Sequence, residues 1–193
     1  MNAIRTFVAI SLPDPIHEKL DEIIVRLKKA GMSGVRWVPA QNIHLTLKFL
    51  GDVSPANLDL LEKILQSEIN RHHPFEITIG GLGAFPNPRR PRVIWVGIKT
   101  PPALENIRHA IEAETQRLGY AAEERPFSPH LTLGRISHNA SPQEIHQIAS
   151  VLSVQTAQQL GTIRVENVQL FRSDLKPGGS VYTSLFTFPL SPP

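Results

Sequence analysis

His44-Leu45-Thr46-Leu47-Lys48-Phe49-Leu50 returns later in the chain as His130-Leu131-Thr132-Leu133-Gly134-Arg135. Side chains on a β-strand alternate between faces, so each copy sends His and Thr one way and its two leucines the other. A core takes the leucines and leaves the imidazole and the hydroxyl free. Two such strands facing each other across a cleft gather two imidazoles and two hydroxyls around one small space. Neither histidine has an acid beside it in sequence, and the set suits a phosphate ester.

Outward from the first copy, Phe7-Val8-Ala9-Ile10 reads as a buried strand ended by Pro13 and Pro15. Ile16, Leu20, Ile23, Ile24 and Leu27 then recur at helical spacing. Val35 to Val38 is a short strand, and the first HLTL strand follows it to a break at Gly51 and Asp52. Ser54 is placed to cap a second helix with Pro55 at its first position, its inner face formed by Leu58, Leu61, Ile64, Leu65 and Ile69. Phe75 to Phe85 alternates as a strand.

The second half keeps this order. Trp95-Val96-Gly97-Ile98 matches Phe7-Val8-Ala9-Ile10, and Pro101 and Pro102 lead into a helical run through Leu104, Ile107, Ile111 and Leu118. After the second HLTL, Ser141-Pro142 opens a helix through Ile145, Ile148 and Leu152, as Ser54-Pro55 does earlier. Ile163 to Phe171 answers Ile77 to Phe85, and each phenylalanine lies 41 residues beyond its histidine (44 to 85 and 130 to 171). A last strand, Val181 to Phe188 after a turn at Pro177-Gly178-Gly179, has no twin and completes a sheet. Five matched elements in one order mark an internal duplication. The expected fold is α+β and bilobal, with two pseudo-symmetric lobes of antiparallel sheet plus helices around a central cleft. It forms one domain over 1–193, made of repeats near 1–90 and 91–188.

Composition narrows the function classes. A chain of 193 residues supports one sizeable core, and 41% hydrophobic with 19% charged residues is ordinary for a globular domain. The absence of cysteine excludes disulfides, thiolate zinc sites and a cysteine nucleophile, and fits a reducing compartment, so a cytoplasmic location is expected. A net charge of +3 favours an anionic partner only where the basic groups cluster. No apolar run approaches the length of a membrane span, so no membrane partner is expected. Gly80-Gly81-Leu82-Gly83 lacks the Lys-Ser/Thr of a nucleotide-binding loop and reads as a bend or bulge late in a strand, which argues against ATP dependence.

Histidine does both acid and base work near neutrality, each role worth on the order of 10²–10⁴ in rate. In attack of water on a cyclic phosphodiester, one imidazole takes the water proton and the other, protonated, delivers a proton to the departing sugar oxygen. Thr46 and Thr132, two residues on along the same face, are placed to hold the non-bridging oxygens. Strict alternation continues that face to Lys48, which would add charge to the cleft floor, but puts Arg135 on the leucine face unless the strand ends or twists. Arg36, Arg89, Arg90, Arg92 and Arg125 are candidates for a basic rim, and Trp37, Phe127 or Tyr182 for stacking on a base. A lone strand histidine is most often structural. A His and a Thr kept at matching places in both halves share a reason. His72-His73 has no third ligand at metal-like spacing and reads as a polar helix end.

The residues as a set resemble the two-histidine (2H) phosphoesterases, in particular the RNA 2′,3′-cyclic phosphodiesterases, also called 2′-5′ RNA ligases. The resemblance runs over nearly the whole chain, through Arg5 to Ile10, Arg36-Trp37-Val38, His44 to Gly51, Pro126 to Arg135, and Leu170 to Ser173. Its defining pattern is a doubled His-x-Thr/Ser-x, met by His44 to Leu47 and His130 to Leu133. It implies a V-shaped cleft, chemistry without metal or cofactor, and hydrolysis of an RNA-terminal 2′,3′-cyclic phosphate to a 2′-phosphate. By that resemblance His44 is the proton donor to the 3′-oxygen and His130 the acceptor that activates water, roles that the near-symmetric residues themselves leave interchangeable. The expected partner is RNA with a cyclic phosphate end, or a nucleotide, bound by a monomer. Within the same chemistry the alternatives are a small cyclic nucleotide and a 2′-5′ linkage, including the joining of tRNA halves. Outside it stand a non-catalytic RNA- or nucleotide-binding module and a purely structural duplicated domain.

Overall fold

The computed structural model describes residues 3–155, 158–177 and 179–192. Nine strands and four α-helices are described: β1 (Ile4–Ile10), α1 (Asp14–Lys29), β2 (Val35–Trp37), β3 (Leu45–Val53), α2 (Leu58–Ile69), β4 (Phe75–Phe85), β5 (Val93–Lys99), α3 (Pro102–Arg117), β6 (His130–Ile136), α4 (Pro142–Val154), β7 (Gly161–Val165), β8 (Asn167–Lys176) and β9 (Gly179–Pro189). The strands form two antiparallel sheets, ordered β3-β1-β8-β9 and β2-β6-β5-β4-β7. Among the described residues no helix is long and apolar enough to cross a membrane. Gly178 of the expected last turn lies outside the described residues.

Each sheet draws on both halves of the chain. β1 and β3 of the first half take β8 of the second, while β5 and β6 of the second take β4 of the first. The two ladders are twins. Ala9 lies opposite Thr46 as Trp95 lies opposite Thr132, and Phe7 opposite Phe49 and Phe171 as Val93 opposite Arg135 and Phe85. All of these pairs share the offset that separates the histidines, 44 to 130. The ladders therefore correct one pairing: Trp95 corresponds to Ala9, and Phe7 to Val93. A shift of two residues preserves the face of every side chain, so alternation cannot distinguish the two registers.

The four motif leucines, Leu45, Leu47, Leu131 and Leu133, are no more than 4% exposed. Burial of each contributes about 1.5–3 kcal/mol. The faces they occupy are covered by helices, with α3 packed on β3 and α2, α2 on β9, and α4 on β4. Ile16, Leu20, Ile23, Ile24 and Leu27 form the buried stripe of α1. The two Ser-Pro helix starts differ. Ser141 makes a full capping box with Glu144, whereas Ser54 makes no cap bond and Pro55 to Asn57 form a 3₁₀ turn before α2. The third residue after the serine explains this: a carboxylate that reaches back at 144, a short amide at 57. The second-half strand expected from Ile163 to Phe171 is two strands, because the chain leaves β7 at Glu166 and enters the other sheet as β8.

Five register shifts interrupt the described ladders, and three of them bear on the glycine run and the site. The β4–β5 register shifts between Ile79 and Leu82, and Gly81 there has φ +78°, so the glycine run is a bulge as expected. The other two matter for the site. Val8 pairs with Lys48 and Ala9 with Thr46, leaving Leu47 without a partner on β1; Ile94 pairs with Gly134 and Trp95 with Thr132, leaving Leu133 without one on β5. An extra residue at the same place in both HLTL strands reverses the alternation beyond it.

Candidate active site

A turn over Ala40 to Asn42 delivers the chain to His44, which immediately precedes β3, and Ser128-Pro129 delivers it to His130, the first residue of β6. Proline holds the residue before it extended, and Ile43 is extended at φ −77°, ψ 131°. Both imidazoles then make the same bond. Nδ1 of His44 donates to the carbonyl of Asn42 at 2.9 Å, and Nδ1 of His130 to the carbonyl of Ser128 at 2.7 Å. A carbonyl only accepts, so the Nδ1 proton is fixed and Nε2 is the nitrogen left for a substrate. The strands that carry the two histidines, β3 and β6, meet each other.

The surroundings of the two rings differ. His44 stacks on Phe7 (centroids 4.6 Å apart, planes 21° apart), which stacks in turn on Phe171 at 5.3 Å, and Tyr182 of β9 stands edge-on to His44 at 5.1 Å. His130 meets Phe85 edge-on at 4.9 Å, with Trp95 at 6.5 Å. Desolvation lowers the pKa of both histidines below the ordinary 6.5, against the backbone hydrogen bonds, which raise it; the positive charge of Arg135 lowers His130 a little further. Thr46 and Thr132, opposite Ala9 and Trp95, share the face of their histidines. Neither hydroxyl has a hydrogen-bond partner among the described residues. Two Nε2 atoms and two unengaged hydroxyls are what an anionic tetrahedral or trigonal-bipyramidal centre requires.

Trp95 owes its position to glycine. A Cβ on Gly83 would come within 2.3 Å of the indole and one on Gly97 within 3.3 Å, so the ring lies over two bare backbone positions beside His130. Its Nε1 is enclosed and has no acceptor among the described residues. A small hollow of about 110 Å³ adjoins His44, bordered by Asn42, Phe171 and Tyr182. A larger one, about 680 Å³, lies between α1 and the segment after α4 and touches neither histidine. Among the described residues no three His, Asp or Glu side chains come together as a metal-ligand set.

The bulges redistribute the other expected site residues. Lys48 does not reach the cleft floor. The extra residue turns it inward, where it is 4% exposed and its Nζ lies 2.5 Å from both Glu112 Oε1 and the Ala121 carbonyl. Phe49 takes the outward place, 56% exposed and 6.0 Å from Phe7. The twin bulge turns Gly134 inward and Arg135 outward onto the face of His130. Trp37, opposite Gly134, packs on the core side of the sheet, because its neighbour Arg36 is the residue of β2 that pairs with Arg135. Phe127 is not a free stacking surface: its ring packs on the core and is covered by the Arg108 guanidinium at 5.3 Å. Arg89, Arg90 and Arg92 are exposed or nearly so around the β4–β5 turn, except that Arg92 also gives its carbonyl to Ile136. Arg125 is engaged by Glu123.

Sequence reading missed the aromatic setting of the histidines: Phe7, Phe85, Trp95 and Phe171. The signal for two of them was present, since Phe85 and Phe171 sit at one separation from their histidines.

The model of the LigT-like phosphoesterase family matches the chain twice, at residues 10–95 and 96–182. Curated relatives named RNA 2′,3′-cyclic phosphodiesterase include one from Methanothermobacter thermautotrophicus, 34% identical over 187 residues that cover 97% of this chain and 99% of the relative. Another, from Archaeoglobus fulgidus, is 35% identical over 184 residues, covering 95% and 99%. Among solved structures, TT0787 of Thermus thermophilus is similar with a TM-score of 0.81 at 27% identity, over 98% of this chain and 99% of the other. Escherichia coli LigT crystallised with 3′-AMP is similar with a TM-score of 0.77 at 29% identity, over 97% and 98%.

Proposed function

The chain belongs to the LigT-like phosphoesterase family, and from that premise we propose that it hydrolyses the 2′,3′-cyclic phosphate at the end of an RNA to a 2′-phosphomonoester. The relatives named above carry that activity in their names. The observation that carries the reading in this chain is the pair of Nδ1-anchored imidazoles, each followed on its own face by an unengaged threonine hydroxyl. The chain acts as one domain over 1–193, built of two repeats near 1–90 and 91–188.

In the proposed reaction the phosphate sits between the two threonines, whose hydroxyls donate to its non-bridging oxygens as negative charge grows there. Nε2 of His130 takes a proton from water as the water oxygen bonds to phosphorus. The bond from phosphorus to the 3′-oxygen breaks, and Nε2–H of His44 protonates that oxygen. Both histidines have lowered pKa values without ligand. A bound phosphodiester anion relieves this for a histidine that must carry a proton. The positive charge of Arg135 beside His130 opposes protonation there, as burial does at both rings, and the assignment of His44 as donor and His130 as acceptor follows the family resemblance. No step calls on a metal ion or cofactor.

The test is a short RNA ending in a 2′,3′-cyclic phosphate, incubated with the protein in excess EDTA, with the product phosphate located by position. The expected product is the 2′-phosphate, with His44→Ala and His130→Ala each lowering the rate by on the order of 10²–10⁴. Turnover that survives both substitutions, or that chelation abolishes, overturns the mechanism. Binding without product in the wild type would instead support a non-catalytic module.

A further inference from the structure

The twin bulges leave unlike residues at matching places beyond the two threonines: Phe49 in one sheet and Arg135 in the other. The second sheet also carries an edge strand, β2, that has no counterpart beside β3 among the described residues. β2 sets Arg36 directly opposite Arg135. Directly opposed residues of an antiparallel pair share a face with Cβ atoms roughly 4.5–5.5 Å apart, so two arginine side chains leave the sheet from adjacent positions on the face of His130 and Thr132. Both residues are exposed, and neither has an ion pair or hydrogen bond to an acid among the described residues. Like charges in that relation destabilise a sheet. An anion placed between them reverses the sign, and planar guanidinium forks suit a phosphate.

Position says which phosphate. Arg135 is three residues beyond Thr132, roughly 10 Å along a strand, and Arg36 lies about another 4.8 Å outward on the next strand. Arg36 is therefore too far out to serve the phosphate held between the threonines and is placed for one further along the same polymer. The corresponding exit past Phe49 offers an exposed aromatic ring and exposed Arg5, which stands opposite Asp52 and, among the described residues, not opposite a second cation. The site thus has a direction in spite of its pseudo-symmetry. Building on the RNA-end reading above, we propose that Arg36, paired with Arg135, forms a subsite for the phosphodiester one nucleotide upstream of the reacting end, so that the RNA strand leaves over the second sheet and oligonucleotides are preferred to cyclic mononucleotides.

The experiment compares kcat/KM for 2′,3′-cyclic AMP with that for a dinucleotide ending in the same cyclic adenosine phosphate, in the wild type, Arg36→Gln and Arg36→Lys. The expected result is a fall of about tenfold in the dinucleotide-to-mononucleotide ratio in Arg36→Gln, carried by KM, as for loss of one exposed charged hydrogen bond. The salt dependence of log kcat/KM for the dinucleotide should flatten by about 0.7 per decade of salt, and Arg36→Lys should restore that slope. A folding defect lowers both substrates together and leaves the ratio alone, so the ratio reads the subsite itself. An unchanged ratio, with both substrates turned over, overturns the subsite while leaving the RNA-end reading intact. No turnover of either substrate by the wild type overturns both.

Discussion

Lys48→Met removes an ammonium from the interior while keeping most of the side-chain volume, which makes it a sensitive probe of how the two halves are joined. The lysine lies on β3, four residues after His44, and holds Glu112 of α3 and the backbone carbonyl of Ala121. Glu112 in turn accepts from the Glu123 amide at 3.1 Å and from Arg108 at 3.3 Å, and Arg108 covers Phe127. One buried cluster therefore ties the first HLTL strand to the segment that leads into the second. Taking one partner from a buried pair costs about 3–5 kcal/mol. Arg108 remains as a cation beside Glu112, which argues for the lower end, and the Ala121 carbonyl loses its donor at about 1 kcal/mol, so the expected loss is roughly 3–4 kcal/mol. For a chain of this length each kcal/mol moves Tm by about 2–4 °C, and thermal denaturation should show a drop of roughly 6–16 °C. Glu112→Gln should cost a comparable amount, and the double variant should fall short of the sum by about 0.5–3 kcal/mol. A Lys48→Met protein that melts within about 1 °C of the wild type, or single effects that simply add, would show that the pair carries no coupling and that the account of the cluster is wrong.

Further outcomes follow from the site itself. Gly83→Ala drives a methyl into the Trp95 indole, which the present geometry leaves 2.3 Å away; a loss of about 1–3 kcal/mol in chemical denaturation is expected from overpacking, together with reduced turnover, because the displaced ring borders His130. Thr132→Ala should lower kcat by about 10²–10³ with little change in KM, as for loss of a donor used mainly in the transition state; a steady-state assay in which KM alone rises contradicts that role. The pH dependence has a definite sign. Burial lowers both histidines below 6.5, so kcat/KM, which reports the free enzyme, should be bell-shaped with its centre on the acid side of 6.5. Arg135→Gln removes a cation that disfavours protonated His130, and NMR titration should show that histidine moving up in pKa while staying below 6.5, since burial is the larger cause; a downward shift would reverse the electrostatic reading.

The parts of the molecule legible in sequence are those governed by period alone. The leucines of both HLTL copies point inward, and the stripe from Ile16 to Leu27 is buried as its spacing requires. Repetition, together with family resemblance, singled out His44, Thr46, His130 and Thr132, and the ladders put each Thr on the face of its His. Strand exchange between the halves was hidden, because a repeat records which elements correspond and not which copy they pair with. The aromatics were assigned to the site by type, and type does not distinguish Trp37, committed to the core side, from Trp95, which needs Gly83 and Gly97 beneath it. The deepest error came from a single residue. Nothing in His-Leu-Thr-Leu announces that the second leucine will be left without a partner, since that depends on how β1 and β5 align against it. Just beyond that leucine the alternation is reversed, which places Lys48 in the interior and Arg135 on the open face, until in β3 a second shift at Leu50 restores it. The positions that alternation misassigns are also ones at which the two halves differ in chemistry, an exposed ring at 49 and a cation at 135. The duplicated motif supplies equivalent acid-base groups to both sides, and the residues just past the bulges make the two sides unequal, so a substrate turned end for end would not meet the same surface.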